Sequence, residues 1–370
     1  MDFPTAQRIL EKEIDIVARN EKYHSLMVEF MGGEPLTNFE LIKDVVEWLE
    51  SLSLSFPWYS FATTNATLLD EERKAWFYRH RDSICLGGSY DGDETMQETN
   101  RKTGGKVSHE FLHSTWPGQE FRITISRETL KTLANGVKAM MLDKGYPANA
   151  ALAQGEAWKE EDADVYYREL TEIGKMFLEN PELDVLNLLN RPMMPIATIG
   201  PNDVQKRFCG AGKHMVAYDV DGESYGCHMF SPVVLGEKAL KNTDTEWEDD
   251  GKLADPTCGK CILRNYCPTC AGFNYRYRGS IANRDKSECR LVLAQALASC
   301  EFQMQYLATY RERLDEKEAG NAKSAIHVYP RLQELFVTQA RPPYTDGTEK
   351  ESFINQQPSV LANEEQTETP

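Results

Sequence analysis

Seven cysteines in the second half of this 370-residue chain stand at spacings that bind metal. Cys209 is followed by twelve residues, Gly222, four more residues and Cys227. Gly222 permits a tight turn that lets both thiolates face one site. Thirty residues on, Cys258-x2-Cys261-x5-Cys267-x2-Cys270 gathers four thiols into thirteen residues, and Cys289 trails them by eighteen. So many soft ligands call for a soft metal centre. One structural zinc takes four thiolates and leaves three of the seven without work. Seven or eight thiolates match two cubane iron-sulfur clusters, each needing about four cysteines. Cys85 and Cys300 read as packed thiols in apolar contexts.

Two further motifs lie in the first half. Phe30-Met31-Gly32-Gly33-Glu34-Pro35 ends an apolar run and opens a loop. Its two glycines let a ligand approach the backbone, and Glu34 offers a carboxylate to a ligand ammonium. His109-Glu110-Phe111-Leu112-His113 has the HExxH form of a zinc metalloprotease, with two imidazoles one turn apart and a glutamate base. Gly104-Gly105 and Trp116-Pro117 confine that helix to about ten residues, and Glu120 and Glu128 are third-ligand candidates by proximity alone. Without its structural context the motif reads as two surface or packing histidines, and a zinc protease leaves the cysteines unexplained.

The cysteine pattern resembles C-x9-15-G-x4-C, gap, C-x2-C-x5-C-x3-C, gap, C, the signature of the SPASM domain of radical S-adenosylmethionine (SAM) enzymes. Cys267-Pro268-Thr269-Cys270 departs from it, with two intervening residues in place of three. The resemblance implies that Cys258, Cys261, Cys267 and Cys289 hold one auxiliary [4Fe-4S] cluster. It implies that Cys209, Cys227 and Cys270 hold a second, completed by an open iron or a ligand such as His214. In this family GGEP binds the methionine amino group of SAM, which implicates Gly32, Gly33 and Glu34. Thr64-Asn65-Ala66-Thr67-Leu68 resembles the family's TNGTLL segment, and Ser89-Tyr90-Asp91-Gly92 resembles SLDG. Ser89 and Arg101 match positions that contact SAM in the sulfatase-maturating members.

The family also carries a catalytic [4Fe-4S] cluster on CxxxCxxC, whereas Cys85 is the sole cysteine ahead of Cys209. That cluster is therefore expected only in a longer form, and the present chain is expected to be a truncated, inactive one. The implied reaction is cleavage of SAM to a 5'-deoxyadenosyl radical that abstracts hydrogen from a peptide or protein substrate. The electrons come from a donor such as flavodoxin or ferredoxin. Sulfatase-maturating members have an aspartate base directly after the cysteine matching Cys227, where this chain has His228. Histidine accepts a proton near neutral pH, so His228 is the candidate proton acceptor and the expected substrate shifts to a ribosomally made peptide. The non-enzymatic alternative is a two-cluster electron-transfer or peptide-binding protein.

The elements that position these groups alternate. A helix begins at Pro4, a strand follows at Leu26 to Phe30, and Thr37-Asn38-Phe39-Glu40 has the form of a capping box before a second helix. Strands are expected at Trp58 to Thr64, Ser83 to Gly87 and Glu120 to Ile125. Helices are expected at Leu69 to His80, Arg127 to Leu142 and Asp162 to Leu178. Repeated strand and helix imply a parallel α/β sheet, and the resemblance implies an incomplete (β/α)6 partial barrel over residues 1–195. A small cysteine-rich α+β SPASM domain follows over 196–318, with an Asp221-Gly222 hairpin and one long helix from Cys289 to Lys317. The extension 319–370 is expected to be disordered from about Arg341, where prolines and glutamates leave little apolar surface.

The net charge of -17 excludes nucleic acid and anionic membranes as partners, since phosphate surfaces demand clustered Lys and Arg. No apolar run approaches the ~20 residues of a membrane helix, and no signal sequence is expected from Met1-Asp2-Phe3-Pro4. A cytoplasmic location and reduced thiols are expected.

Overall fold

A computed structural model describes residues 1–103, 107–200, 207 and 209–345. Helix α1 (Phe3–Arg19) starts where Asp2 accepts the Thr5 N–H at 3.0 Å, with Pro4 in its first turn. Its Ala6 and Leu10 pack on Val45 and Leu49 of α2 (Phe39–Glu50). The capping box expected at Thr37 does not form. Pro35 opens a 3-10 turn over Pro35–Asn38 whose first N–H groups are capped by Glu34, and Thr37 Oγ1 donates to the Glu34 carbonyl at 2.7 Å.

Strands β1 (Leu26–Phe30), β2 (Trp58–Thr64) and β3 (Ile84–Gly88) form a parallel sheet in that order. Helix α3 (Glu71–Arg79) joins β2 to β3; α4 (Glu94–Arg101) and α5 (His109–Thr115) follow β3. A parallel bridge from Ser89 to Arg122 carries the sheet to β4 (Phe121–Ile125), which pairs in parallel with β5 (Ala148–Leu152). Ala62, Ile84, Leu86, Ile123 and Ala150 face a common core with Ile42, Val46, Phe77, Leu133 and Tyr166. The helix expected over Arg127 to Leu142 is broken into a 3-10 turn, α6 (Leu133–Val137) and a π-helical stretch over Lys138–Asp143. Ser126 and Thr129 bond each other and the backbone there, which competes with helix formation. Helix α7 (Glu160–Glu179) and the short α8 (Met194–Ala197) complete the first half.

The second half holds the hairpin β6 (Ala217–Tyr218) and β7 (Ser224–Tyr225), with Gly222 at φ +85, then α9 (Pro232–Leu235) and α10 (Ala271–Arg278). The hairpin rests on α1, where Tyr218 Oη donates to Glu13 at 2.5 Å. Helix α11 (Cys289–Thr309) is buried on all sides from Arg290 to Cys300. Leu291, Ala294, Ala298 and Phe302 complete the first core, while Val292, Leu293, Ala296 and Cys300 enter a second with Ala325, Val328 and Leu332. The helix expected to run to Lys317 stops at Thr309, and Asp315 starts α12 (Glu316–Val337) through a capping box with Glu318.

The chain just after Arg341 packs rather than straying. Tyr344 is buried in the second core, and its carbonyl accepts the Ile262 N–H at 2.6 Å. The rest of the expected disordered tail, 346–370, lies outside the described residues. Among the described residues no helix is long and apolar enough to cross a membrane.

Candidate functional site

At the C-terminal ends of the parallel strands, the side chain of Glu34 ties two loops together. Its Oε1 accepts Leu36 N–H at 3.1 Å and Thr64 Oγ1–H at 2.7 Å, and its Oε2 accepts Asn65 N–H at 2.8 Å. A carboxylate has about four lone-pair positions, so one acceptor position is left for a ligand cation. Gly32 and Gly33 are exposed beside it, and nothing lies within 4 Å of where a Cβ would stand on either. The Thr64 carbonyl in turn accepts Ser89 N–H at 2.9 Å, so Glu34, Thr64 and Ser89 form one bonded row across β1, β2 and β3. Ala66 in the same loop takes φ +58, a left-handed backbone that glycine adopts without cost.

Arg101 is held rather than free. Its Nε donates to Asp91 Oδ2 at 2.8 Å and its Nη2 to Asp91 Oδ1 at 3.0 Å and Thr124 Oγ1 at 3.1 Å. Asp91 is fully buried and also accepts Thr124 N–H at 2.6 Å and Asn100 Nδ2–H at 3.1 Å. The guanidinium still has donors left for a ligand carboxylate. Asp91 is a site residue that sequence reasoning passed over, although it stands inside the quoted SLDG-like segment.

The HExxH histidines are packed against aromatic rings. His109 stacks on Tyr90 at 3.8 Å between ring centroids, and His113 lies 4.7 Å from Tyr146. Burial, with Lys144 second, pushes the His109 imidazole down to about 4. Glu110 points to solvent.

The fold parts the cysteines into two groups. Cys258, Cys261, Cys267 and Cys289 act electrostatically on one another, and Cys209, Cys227 and Cys270 do likewise. All nine thiols are free. In the first group Cys258 ends a 3-10 turn that begins at Pro256, and Cys289 begins α11. The backbone N–H groups of Leu263 and Tyr344 stand beside Cys261 and partly offset its burial. In the second, Cys270 stands at the N-terminus of α10, and the backbone N–H groups of Gly272 and Phe273 beside it, and of Met229 and Phe230 beside Cys227, partly offset the burial of these two thiols. Burial raises the thiols of Cys261, Cys270 and Cys289, that of Cys227 to about 11 and that of Cys267 to about 12, so each of these five binds a metal only by losing its proton to it.

Trp247 holds the second group's turns together. Its buried ring lies against Gly212 and Gly226 so closely that a Cβ on either would overlap it. His214 is exposed in the turn after Cys209, where its N–H donates to the Gly210 carbonyl. His228 follows Cys227 at the surface, and crowding by nearby protein lowers its imidazole pKa. Cys85 and Cys300 stand outside both groups. The first is buried with its Sγ 3.4 Å from Gln119 Oε1, the second buried in α11. Among the described residues no three His, Cys, Asp or Glu side chains converge as they do around a single metal ion. A cluster of four irons takes one thiolate per iron at its corners, so it suits thiols that are neighbours without converging. A cleft of about 440 Å³ is lined by Leu240, Leu253, Tyr275 and Ile281, which pack against the same apolar cluster as Cys227.

No protein-family model and no curated protein matches the sequence. Solved structures do. A hexahistidine-tagged anSMEcpe with bound AdoMet superimposes with a TM-score of 0.61 at 16% identity, over 86% of this chain and 89% of that one. Native anSMEcpe with bound AdoMet and Kp18Cys peptide gives 0.58 at 15% identity, over 83% and 91%. Native anSMEcpe with AdoMet and Cp18Cys peptide gives 0.57 at 15% identity, again over 83% and 91%. The neighbour is an anaerobic sulfatase-maturating radical SAM/SPASM enzyme, and at this identity the likeness establishes a shared fold.

Proposed function

We propose that this chain is a radical SAM/SPASM protein that acts in the modification of a peptide or protein. In this reading residues 1–195 form a partial barrel that binds SAM and residues 196–318 a SPASM domain with two auxiliary [4Fe-4S] clusters. One observation carries it. The seven thiols fall into a group of four and a group of three, the same sets that the resemblance in the cysteine spacing assigns to two clusters. The shared fold with an AdoMet- and peptide-bound enzyme supports the same class of ligand here.

Each residue then has a role. Glu34 accepts the SAM ammonium while Gly32 and Gly33 leave room beside it. Arg101, locked on Asp91, offers its remaining donors to the SAM carboxylate, and Ser89 fixes the floor between them. Cys258, Cys261, Cys267 and Cys289 hold one auxiliary cluster; Cys209, Cys227 and Cys270 hold the other. His228, neutral at pH 7, stands ready to take a proton from the substrate. The clusters, when bound, supply one-electron redox chemistry.

The alternative reading is that the chain binds a peptide or passes electrons without generating the radical itself. Release of 5'-deoxyadenosine from SAM by the reconstituted chain separates the two. SAM binding to the same protein tests what they share. Glu34→Ala is expected to weaken it at least tenfold, and equal affinity in the variant would remove Glu34 from the site.

A further inference from the structure

Lys286 stands directly on one cysteine of the four-thiol group. Its Nζ donates to Cys258 Sγ at 3.0 Å and to Asp255 Oδ2 at 2.7 Å. Asp255 is 4% exposed and is itself immobilised. Its Oδ1 accepts Thr257 N–H at 2.8 Å and Thr257 Oγ1–H at 2.6 Å, and its Oδ2 also accepts Arg284 N–H at 2.9 Å. The carboxylate therefore fixes the ammonium against the sulfur. Cys261 of the same group, like Cys227 and Cys270 of the other, has backbone N–H groups beside its sulfur instead. The ammonium on Cys258 thus sets the four-thiol site's electrostatic surroundings apart.

We propose that Lys286 sets the reduction potential at the site of Cys258, Cys261, Cys267 and Cys289, with Asp255 as the residue that positions it. The inference rests on the reading that these four thiolates hold a [4Fe-4S] cluster. Taking up one electron makes such a cluster and its thiolates one charge more negative. A cation that donates a hydrogen bond to a ligand sulfur stabilises that reduced form more than the oxidised one and raises the potential. Removing the ammonium therefore favours the oxidised form.

The test is an anaerobic redox titration of the reconstituted full chain, with dithionite as electron source and electron paramagnetic resonance as readout. Iron and sulfide are counted on the same samples. Lys286→Met is expected to lower the equilibrium constant for reduction at one site at least tenfold, which is 59 mV for a one-electron couple. The other midpoint stays put as an internal control. Lys286→Arg, which keeps the charge, is expected to retain most of the potential, and Asp255→Asn to shift the same midpoint downward by less. Full iron content with both midpoints unmoved in Lys286→Met overturns the proposal while leaving the cluster assignment intact. If that variant loads poorly, Asp255→Asn decides, an unmoved midpoint again overturning it. Wild-type protein that takes up no iron overturns the underlying reading instead.

Discussion

Replacing Asp91 by Asn tests whether Arg101 is locked in place. The Asp91 carboxylate is fully buried and receives four donors, two from Arg101 and one each from Asn100 and Thr124. Whichever oxygen becomes an NH2 group, a donor then faces donors, and the Arg101 guanidinium loses its counter-charge. Breaking one partner of a buried ion pair costs about 3–5 kcal/mol. Arg101 is 24% exposed and can regain some hydration, which favours the lower end, about 3 kcal/mol. In a cooperative unit of about 150–250 residues that lowers Tm by roughly 6–12 °C. The assay is thermal and urea unfolding followed by far-ultraviolet circular dichroism, for Asp91→Asn, Arg101→Gln and the double variant. The double variant is expected to cost far less than the sum, with a coupling of about 2 kcal/mol. A loss below about 1 kcal/mol, or additive losses, would refute the locked pair.

Three further outcomes are expected. His109 sits at about 4 through burial and Lys144, against 6.5 when unfolded, so the unfolded chain binds a proton in that window that the folded chain refuses. Its contribution to stability is complete above pH 6.5 and is lost, by about 3 kcal/mol, as pH falls toward 4. His109→Phe should flatten urea-derived stability across that window; an unchanged slope contradicts the burial argument. Ala66→Gly removes a left-handed strain of about 1–2 kcal/mol but adds about 0.4–1 kcal/mol of unfolded-state entropy, so a small net rise in Tm is expected and a fall counts against the conformation. Gly226→Ala drives a methyl into Trp247 and is expected to cost about 1–3 kcal/mol in thermal unfolding, with no cost if the indole is loose.

How much was legible varies with the kind of signal. The strand Trp58–Thr64 and the start of α1 follow from apolar pattern and capping chemistry, and both match their expected bounds closely. Strand β5 was not legible because Ala-Asn-Ala-Ala-Leu carries no β-branched residue, and it forms through pairing with β4. Helix α12 escaped notice although Ala322, Ala325, Val328, Leu332 and Leu335 recur at helical spacing, since Pro330 within it reads as a breaker. Spacing could gather the cysteines but not show what surrounds them. Lys286 meets Cys258 and Tyr344 lies beside Cys261 from other segments, and only the folded chain brings them there.

The central claim is that the seven thiols serve two clusters and the other two cysteines serve none. Anaerobic reconstitution followed by iron, acid-labile sulfide and zinc analysis, on the wild type and on single cysteine variants, tests it most directly. About eight irons and eight sulfides per chain are expected, falling by about half in Cys289→Ala and in Cys270→Ala and unchanged in Cys85→Ala and Cys300→Ala. Stoichiometric zinc without sulfide, or equal losses from Cys289→Ala and Cys300→Ala, would contradict it.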